Sequence, residues 1–503
     1  MKKIINFENL KILRRKYPNK KIGLAHGVFD LLHYGHLLHL KKAKQICDIL
    51  VVSITADKFI NKNPSGPYYN SKKRMEFLSE IECVDYVILS EYQSAIETLQ
   101  ILKPNYYFKG SEYANYSQDY TGKIVREVNI LKKNKGEIIF TNEPILSSSY
   151  MINNFFSSIK PEVKNFLLKN KKNIKFNEIW KNADKIKKDK VLVFGDVIID
   201  EYIFSSALSK SPKEQIISVK EEKREIYNGG ILATVNHVSN FVKDVTLLTL
   251  MGKESNDNKK YLSKLSKNIK KKIFYLSNNK TIIKTRYLDN DNKKIFQKTN
   301  NDFFLLDKKI ENNILNYLKK NLSKFDQIIV NDFGHGLITE KIIKTLTKFS
   351  NKLCVNVQTN SANNGYNFIT KYKKAFYISV DEPEARLATR KRLQDVNTLF
   401  KILEKKINFN ICSITLGKKG TKVYSKDKFT YIPSISERPI DTMGAGDAYF
   451  AISSLFSKYL KKNIITLGLI GNIAGALKIQ YLGHRDYVQS KKLLGYLKTL
   501  LNI

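Results

Sequence analysis

Short runs of Ile, Val, Leu and Phe recur along this chain, separated by longer stretches where apolar positions return every three to four residues among lysines. In the first third the runs are KIGLAHGVF, ILVVSI, YVILS and EIIFT; later ones are KVLVFGDVII, QIIVNDF, KLCVNV and FNICSITLG. Runs of this length predict buried strands, and the stretches between them predict amphipathic helices. The alternation predicts an α/β chain with mainly parallel sheets. Between the two sets, residues 157–190 contain no strand-like run and predict a helical, lysine-rich connection. The expected domains are therefore 1–156 and 190–503, with a linker over 157–189. The apolar stretch IITLGLIGNIAGALKI (464–479) is short and broken by glycine, so it predicts a buried helix and not a membrane span.

Composition narrows the picture. A chain of 503 residues, 42% hydrophobic and 11% aromatic, is too long for one ordinary core and apolar enough for two. Its formal net charge of +40 invites a nucleic-acid reading. The lysines are interleaved with Asn and Ile throughout, as in KNKKNIK, which fits a compositional bias as well as a binding stripe, and no nucleic-acid motif accompanies them. The expected partners are small molecules, with no nucleic acid and no membrane, and the charge would attract phosphorylated substrates. Cys47, Cys83, Cys354 and Cys412 are scattered without paired spacing, and the basic start lacks the apolar core of a signal peptide. Both features predict a reduced, cytoplasmic protein.

The first candidate chemistry lies in GVFDLLHYGH, residues 27–36. A strand ends in a glycine turn there and a helix begins. Gly27 and Gly35 would let phosphate approach the backbone, and the helix N-terminus offers free amides and a positive dipole end. His33 and His36, three apart, share one face of the first turn and could donate to triphosphate oxygens. Lys44, two turns further on, would reach the phosphates as a third cation. The alternative, a metal site, lacks further His or Cys neighbours to complete it. The string resembles the G-x-F-D-x-x-H-x-G-H signature of cytidylyltransferase-like nucleotidyltransferases, and the resemblance runs over about 22–156. It implies that Phe29 and Asp30 belong to the nucleotide site. It also implies that Arg74, in SKKRMEFLSEIECVDYVI, binds phosphate, that YYFKGSEY (106–113) continues the family pattern, and that Ser147, Ser148 and Ser149 open a helix near the triphosphate.

The second candidate is RPIDTMGAGDAYF, residues 438–450. Its glycine pair before an apolar helix predicts another anion-holding N-terminus, built from the amides of Gly444, Ala445 and Gly446. Asp447 follows at once, placed to accept the proton of an attacking sugar hydroxyl. The stretch resembles the D-T-x-G-A-G-D signature of PfkB, or ribokinase-like, sugar kinases over about 190–488. The resemblance implies Asp200, Gly229 and Gly230 at the sugar, and Thr415, Gly417 and Gly420 on the nucleotide side. Asp381 and Glu384, in DEPE, would stand for the family's N-x-x-E and hold Mg²⁺ indirectly. Ala233 replaces a usual asparagine, and His335 occupies a usual lysine position.

Together the resemblances imply an N-terminal Rossmann-like nucleotidyltransferase and a C-terminal ribokinase-like α/β sandwich. The pairing resembles the bifunctional heptose 7-phosphate kinase and heptose 1-phosphate adenylyltransferase family, with the domain order reversed. That family uses ATP with Mg²⁺ and takes sugar phosphates and nucleotides as substrates, and kinases of the second type often form homodimers. CTP in place of ATP, another sugar, a non-catalytic scaffold and nucleic-acid binding are the alternatives that the residues leave open.

Overall fold

A computed structural model describes residues 3–60, 67–114, 123–141, 160–210, 217–301, 303–363, 365–435 and 439–501. The chain divides into two compact units, residues 1–158 with 494–503, and residues 159–493.

In the smaller unit, β1 (Ile22–Gly27), β2 (Ile49–Thr55), β3 (Tyr86–Ser90), β4 (Tyr106–Gly110) and β5 (Glu137–Thr141) form a parallel sheet in the order β3-β2-β1-β4-β5. β2, ILVVSIT, is buried at every residue, as a central strand covered on both faces must be. The strand order reverses between β1 and β4. A Rossmann-like sheet of this kind opens its binding crevice outside the carboxyl ends of those two strands.

The larger unit contains two sheets. β6 (Lys190–Gly195), β9 (Asp244–Gly252), β10 (Ile269–Leu276), β13 (Gln327–Asp332), β14 (Leu353–Val357), β15 (Lys374–Asp381), β16 (Asn408–Thr415), β17 (Gly420–Ser425) and β18 (Lys428–Pro433) run in the order β10-β9-β6-β13-β14-β15-β16-β17-β18. The first seven are parallel, and β17 and β18 turn antiparallel. Its switch point falls between β6 and β13. The second sheet, which the apolar runs did not predict, comprises β7 (Val197–Lys210), β8 (Ile217–Gly229), β11 (Ile282–Leu288) and β12 (Lys294–Thr299) in the order β12-β11-β7-β8.

The segment expected as a linker folds as two helices, Pro161–Lys169 and Phe176–Ile186, belonging to the larger unit. Val163, Leu167, Ile179, Ala183 and Ile186 are buried, and Thr466 and Asn463 donate to the Asn173 carbonyl between the helices. The second helix carries Trp180, the chain's single tryptophan, and packs against the helix Ala445–Ser457. The stretch predicted as a buried helix is one, Ile464–Lys478. Among the described residues no helix is long and apolar enough to cross a membrane.

Candidate active sites

The first site grows from the turn after β1. Phe29 and Leu31 hold positive φ values of 48° and 49°, a backbone strained for bulky side chains and held only when the surroundings fix it. Arg74 is what fixes it. The helix Ser71–Ser79, capped by the Asn70 side chain, presents this arginine with 1% of its surface exposed. Its guanidinium donates to the carbonyls of Val28 (2.6 Å), Thr55 (2.9 Å) and Tyr69 (3.0 Å) and to Asp57 (2.5 Å). Asp30 is likewise turned inward and accepts the amides of Tyr68 and Tyr69. Sequence reasoning placed both residues on phosphate or nucleotide; in the structure both brace the turn.

His33 caps the helix Tyr34–Ile46, and His36 stands in its first turn with Gly35 buried between them. Their ring centroids lie 3.9 Å apart, and Phe29 packs on His36 at 5.4 Å. The His36 Nδ1 accepts the His33 amide, which leaves the neutral ring's proton on Nε2. The pair thus stands at a helix N-terminus beside the β1 end, as expected. Lys44 does not join it. Eight residues of helix rise separate it from His36 by about 12 Å, and its Nζ pairs with Asp85 at 2.6 Å and with the Asp48 carbonyl. Lys109, at the end of β4, is the cation at the switch point. Its Nζ donates to the His26 carbonyl at 3.3 Å and faces buried Glu127 at 3.8 Å. Its place in YYFKGSEY was the available signal. Ser147, Ser148 and Ser149 lie outside the described residues.

The second site lies where the helix Ala445–Ser457 begins. Gly444 has φ +74°, and a Cβ there would stand 2.4 Å from the His484 ring. A Cβ on Gly446 would meet nothing within 4 Å, so open space lies beside that residue. Asp447, in the first turn and buried, accepts a hydrogen bond from the Gln358 amide at 2.9 Å. Burial, and then Asp200, push its carboxyl up to about 6, with Lys478 and Lys284 pulling the other way. A carboxylate with this value is poised as a base near neutral pH.

The four-stranded sheet supplies the opposite wall. Asp200 on β7 takes Arg286 of β11 at 2.5 Å, and a Cβ on Gly229 would stand 2.1 Å from its other oxygen. Side chains alternate along β11. Arg286 faces inward, Thr285 bonds Glu201, and Tyr287 stacks on Phe296. Lys284 therefore shares the inner face with Arg286. It is 8% exposed, and among the described residues no hydrogen bond or ion pair to its Nζ occurs. Asp200, Asp196 and Asp447 are the carboxylates that act on it. His484 Nε2 lies 3.8 Å from Asp200, but burial holds that imidazole well below its ordinary value, so this is a contact between a neutral ring and a carboxylate. Sequence reasoning singled out Asp200, Gly229, Gly230 and Asp447, which the two walls carry. It missed Lys284, Arg286, Gln358, Lys478 and His484. A lysine inside the apolar run AGALKIQ and basic residues alternating in IIKTRYL were the signals.

Asp381 and Glu384 form a reciprocal cap on the helix Glu382–Thr389. Both Glu384 oxygens accept backbone amides, from Thr359 and Asp381, and one Asp381 oxygen accepts the Glu384 amide. Burial, and then Asp381, push Glu384 up to about 8. No group of three His, Cys, Asp or Glu among the described residues could cage a metal. Glu384 is thus tied up by backbone amides, and the Asp381 oxygen outside these bonds is what remains for a cation held through water. Thr415 ends β16, and Gly417 and Gly420, with φ +58° and +109°, make the turn into β17.

Residues 188–491 match the pfkB family of carbohydrate kinases. The chain belongs to that family. Residues 24–155 ahead of this kinase part match the cytidylyltransferase-like family. Among curated relatives, the bifunctional protein HldE of Aliarcobacter butzleri is 26% identical over 304 residues, covering 59% of this chain and 62% of that protein. HldE of Helicobacter pylori strain HPAG1 is 35% identical over 136 residues, 27% of this chain and 29% of that protein. The chain thus spans about three-fifths or less of the length of these relatives. Among solved structures, the ribokinase of Thermotoga maritima superposes with a TM-score of 0.48 at 16% identity, covering 62% of this chain and 99% of that one.

Proposed function

We propose that the chain makes an activated heptose in two steps: phosphorylation of heptose 7-phosphate at C1 with ATP, and transfer of AMP from ATP to a heptose 1-phosphate. The observation that carries this reading is the presence on one chain of two glycine-flanked helix N-termini, one with His33 and His36 and the other with Asp447. Lys284, buried on the inner wall and without an ion pair among the described residues, supports an anionic sugar over a neutral one.

In the kinase step Asp447, oriented by Gln358, takes the proton of the C1 hydroxyl as its oxygen bonds to the γ-phosphorus and the bond to ADP breaks. The amides of Gly444 and Gly446 neutralise charge on the transferring group, joined by that of Ala445 if it leaves the Thr442 carbonyl to which it donates. In the transferase step an oxygen of the sugar 1-phosphate attacks the α-phosphorus and pyrophosphate leaves. His33 and His36 donate to the phosphate oxygens, and Lys109 takes the place first assigned to Lys44. Mg²⁺, when bound, would supply neutralisation of the polyphosphate charge, with Asp381 holding it through water and Glu384 orienting Asp381. Ala233 and His335, both buried and both departures on the sugar side, favour as a second reading the same two steps on another sugar.

The test is a paired assay of the full chain with Mg²⁺, offering heptose 7-phosphate or heptose 1-phosphate with ATP or CTP. ADP from the first and pyrophosphate from the second are expected. Pyrophosphate only with another sugar 1-phosphate would remove the heptose from the reading.

A further inference from the structure

The helix Ile464–Lys478 is apolar along its length and ends on a lysine of which 1% is exposed. A buried ammonium is costly unless bonded and matched by charge. The bonds are two: Lys478 Nζ donates to the Met443 carbonyl at 2.9 Å and to the Gly483 carbonyl at 2.7 Å. Met443 immediately precedes the anion-holding turn. Gly483 immediately precedes His484, the ring against which Gly444 packs. One side chain thus ties together the two backbone segments that bound the turn.

The matching charge is less obvious. Three carboxylates act on Lys478: Asp441, Asp200 and Asp447. Asp441 already has Lys294 at 2.7 Å, the Tyr202 hydroxyl and the amides of Met443 and Gly483. Asp200 has Arg286 at 2.5 Å. Asp447 has a neutral amide, Gln358, and among the described residues no ion pair. Asp447 is also faced by Asp200 and Lys284 from the four-stranded sheet and by Glu384 from the helix after β15, while Lys294, His237 and His484 lie around Lys478.

We propose that Lys478 is a positioning residue of the kinase centre, clamping the turn 441–444 to residues 483–484 and lending its charge to Asp447 and the transferring phosphoryl group. This rests on the kinase half of the function proposed above and not on the heptose. Burial brings Lys478 down to about 8, so it stays largely cationic at neutral pH.

The experiment compares Lys478→Met, Lys478→Gln and Lys478→Arg in the full chain. It follows ADP release against pH with the sugar phosphate the enzyme accepts, with thermal melting of each variant as control. Lys478→Met should lower kcat about 30-fold with sugar KM within threefold, and move the acid limb of the profile up by about one pH unit. Lys478→Gln, which can keep a carbonyl bond without the charge, should move the limb equally, and Lys478→Arg should return it. If wild-type protein accepts no sugar phosphate, the proposed function fails on its own. The same comparison is then made on MgATP hydrolysis, where the same loss and limb shift are expected. A wild-type rate in Lys478→Met, or a lost rate with an unmoved limb in both neutral variants, would overturn the assignment.

Discussion

Arg74 and Lys44 carry the same charge and were both expected on phosphate, yet the fold gives each a different acceptor. Arg74 needs its planar fork, since four acceptors on three segments converge on it. Arg74→Lys should cost about 2–3 kcal/mol and slow pyrophosphate release at least tenfold as the strained turn relaxes. Lys44→Met should stay within threefold of wild type, because its partner Asp85 lies away from the histidines. Melting curves and pyrophosphate release on the two variants check both outcomes. The motif around His36 was legible because the whole string GVFDLLHYGH places His33 at the cap and His36 in the first turn of one helix. The acceptors of Arg74 and Lys44 were not, because the identity of a long side chain does not say which carbonyl or carboxylate the chain will bring to it.

At the level of elements, the glycines of GAG divide the work. Gly444 is left-handed and pressed against His484, so Gly444→Ala strains the backbone and strikes a ring. Gly446 has a helical position and open space. Gly444→Ala should lower both the melting temperature and kinase activity. Gly446→Ala should leave melting within a degree or two and still reduce kcat at least tenfold, since the added methyl occupies the space offered to phosphate. Equal activity in Gly446→Ala and wild type would mean the phosphoryl group sits elsewhere. The parallel strands were legible from apolar runs because both their faces are covered. The four-stranded sheet was not: β12 is exposed along nearly all its length, and β8 reads ISVKEEKREIYNG. Such strands carry their apolar residues on one face only. The inner wall with Lys284 and Arg286 went unseen because those two charged residues interrupt β11, a strand buried along most of its length.

Across the whole molecule, each candidate chemistry is built within its own unit. Asp447→Asn should therefore abolish ADP formation and leave pyrophosphate release intact. His36→Ala should do the converse, lowering pyrophosphate release by two orders of magnitude or more. Loss of both activities in either variant, measured on one preparation, would contradict the separation of the two sites. The expected break near residue 157 lies beside the observed division at 158–159, whereas residues 494–503, expected in the second domain, group with the smaller unit. That the lysine-rich segment packs as part of the larger unit was not legible, because its apolar positions are sparse.

The lone tryptophan gives this arrangement a spectroscopic meaning. Trp180 rides, half-buried, on the helix Phe176–Ile186, which packs against the helix that starts at the GAG turn. Intrinsic tryptophan emission therefore comes from the larger unit alone, while far-ultraviolet dichroism sums both. A melt followed by the two signals reads one unit against the whole chain, and a change in emission on adding MgATP reports the kinase half without any attached dye.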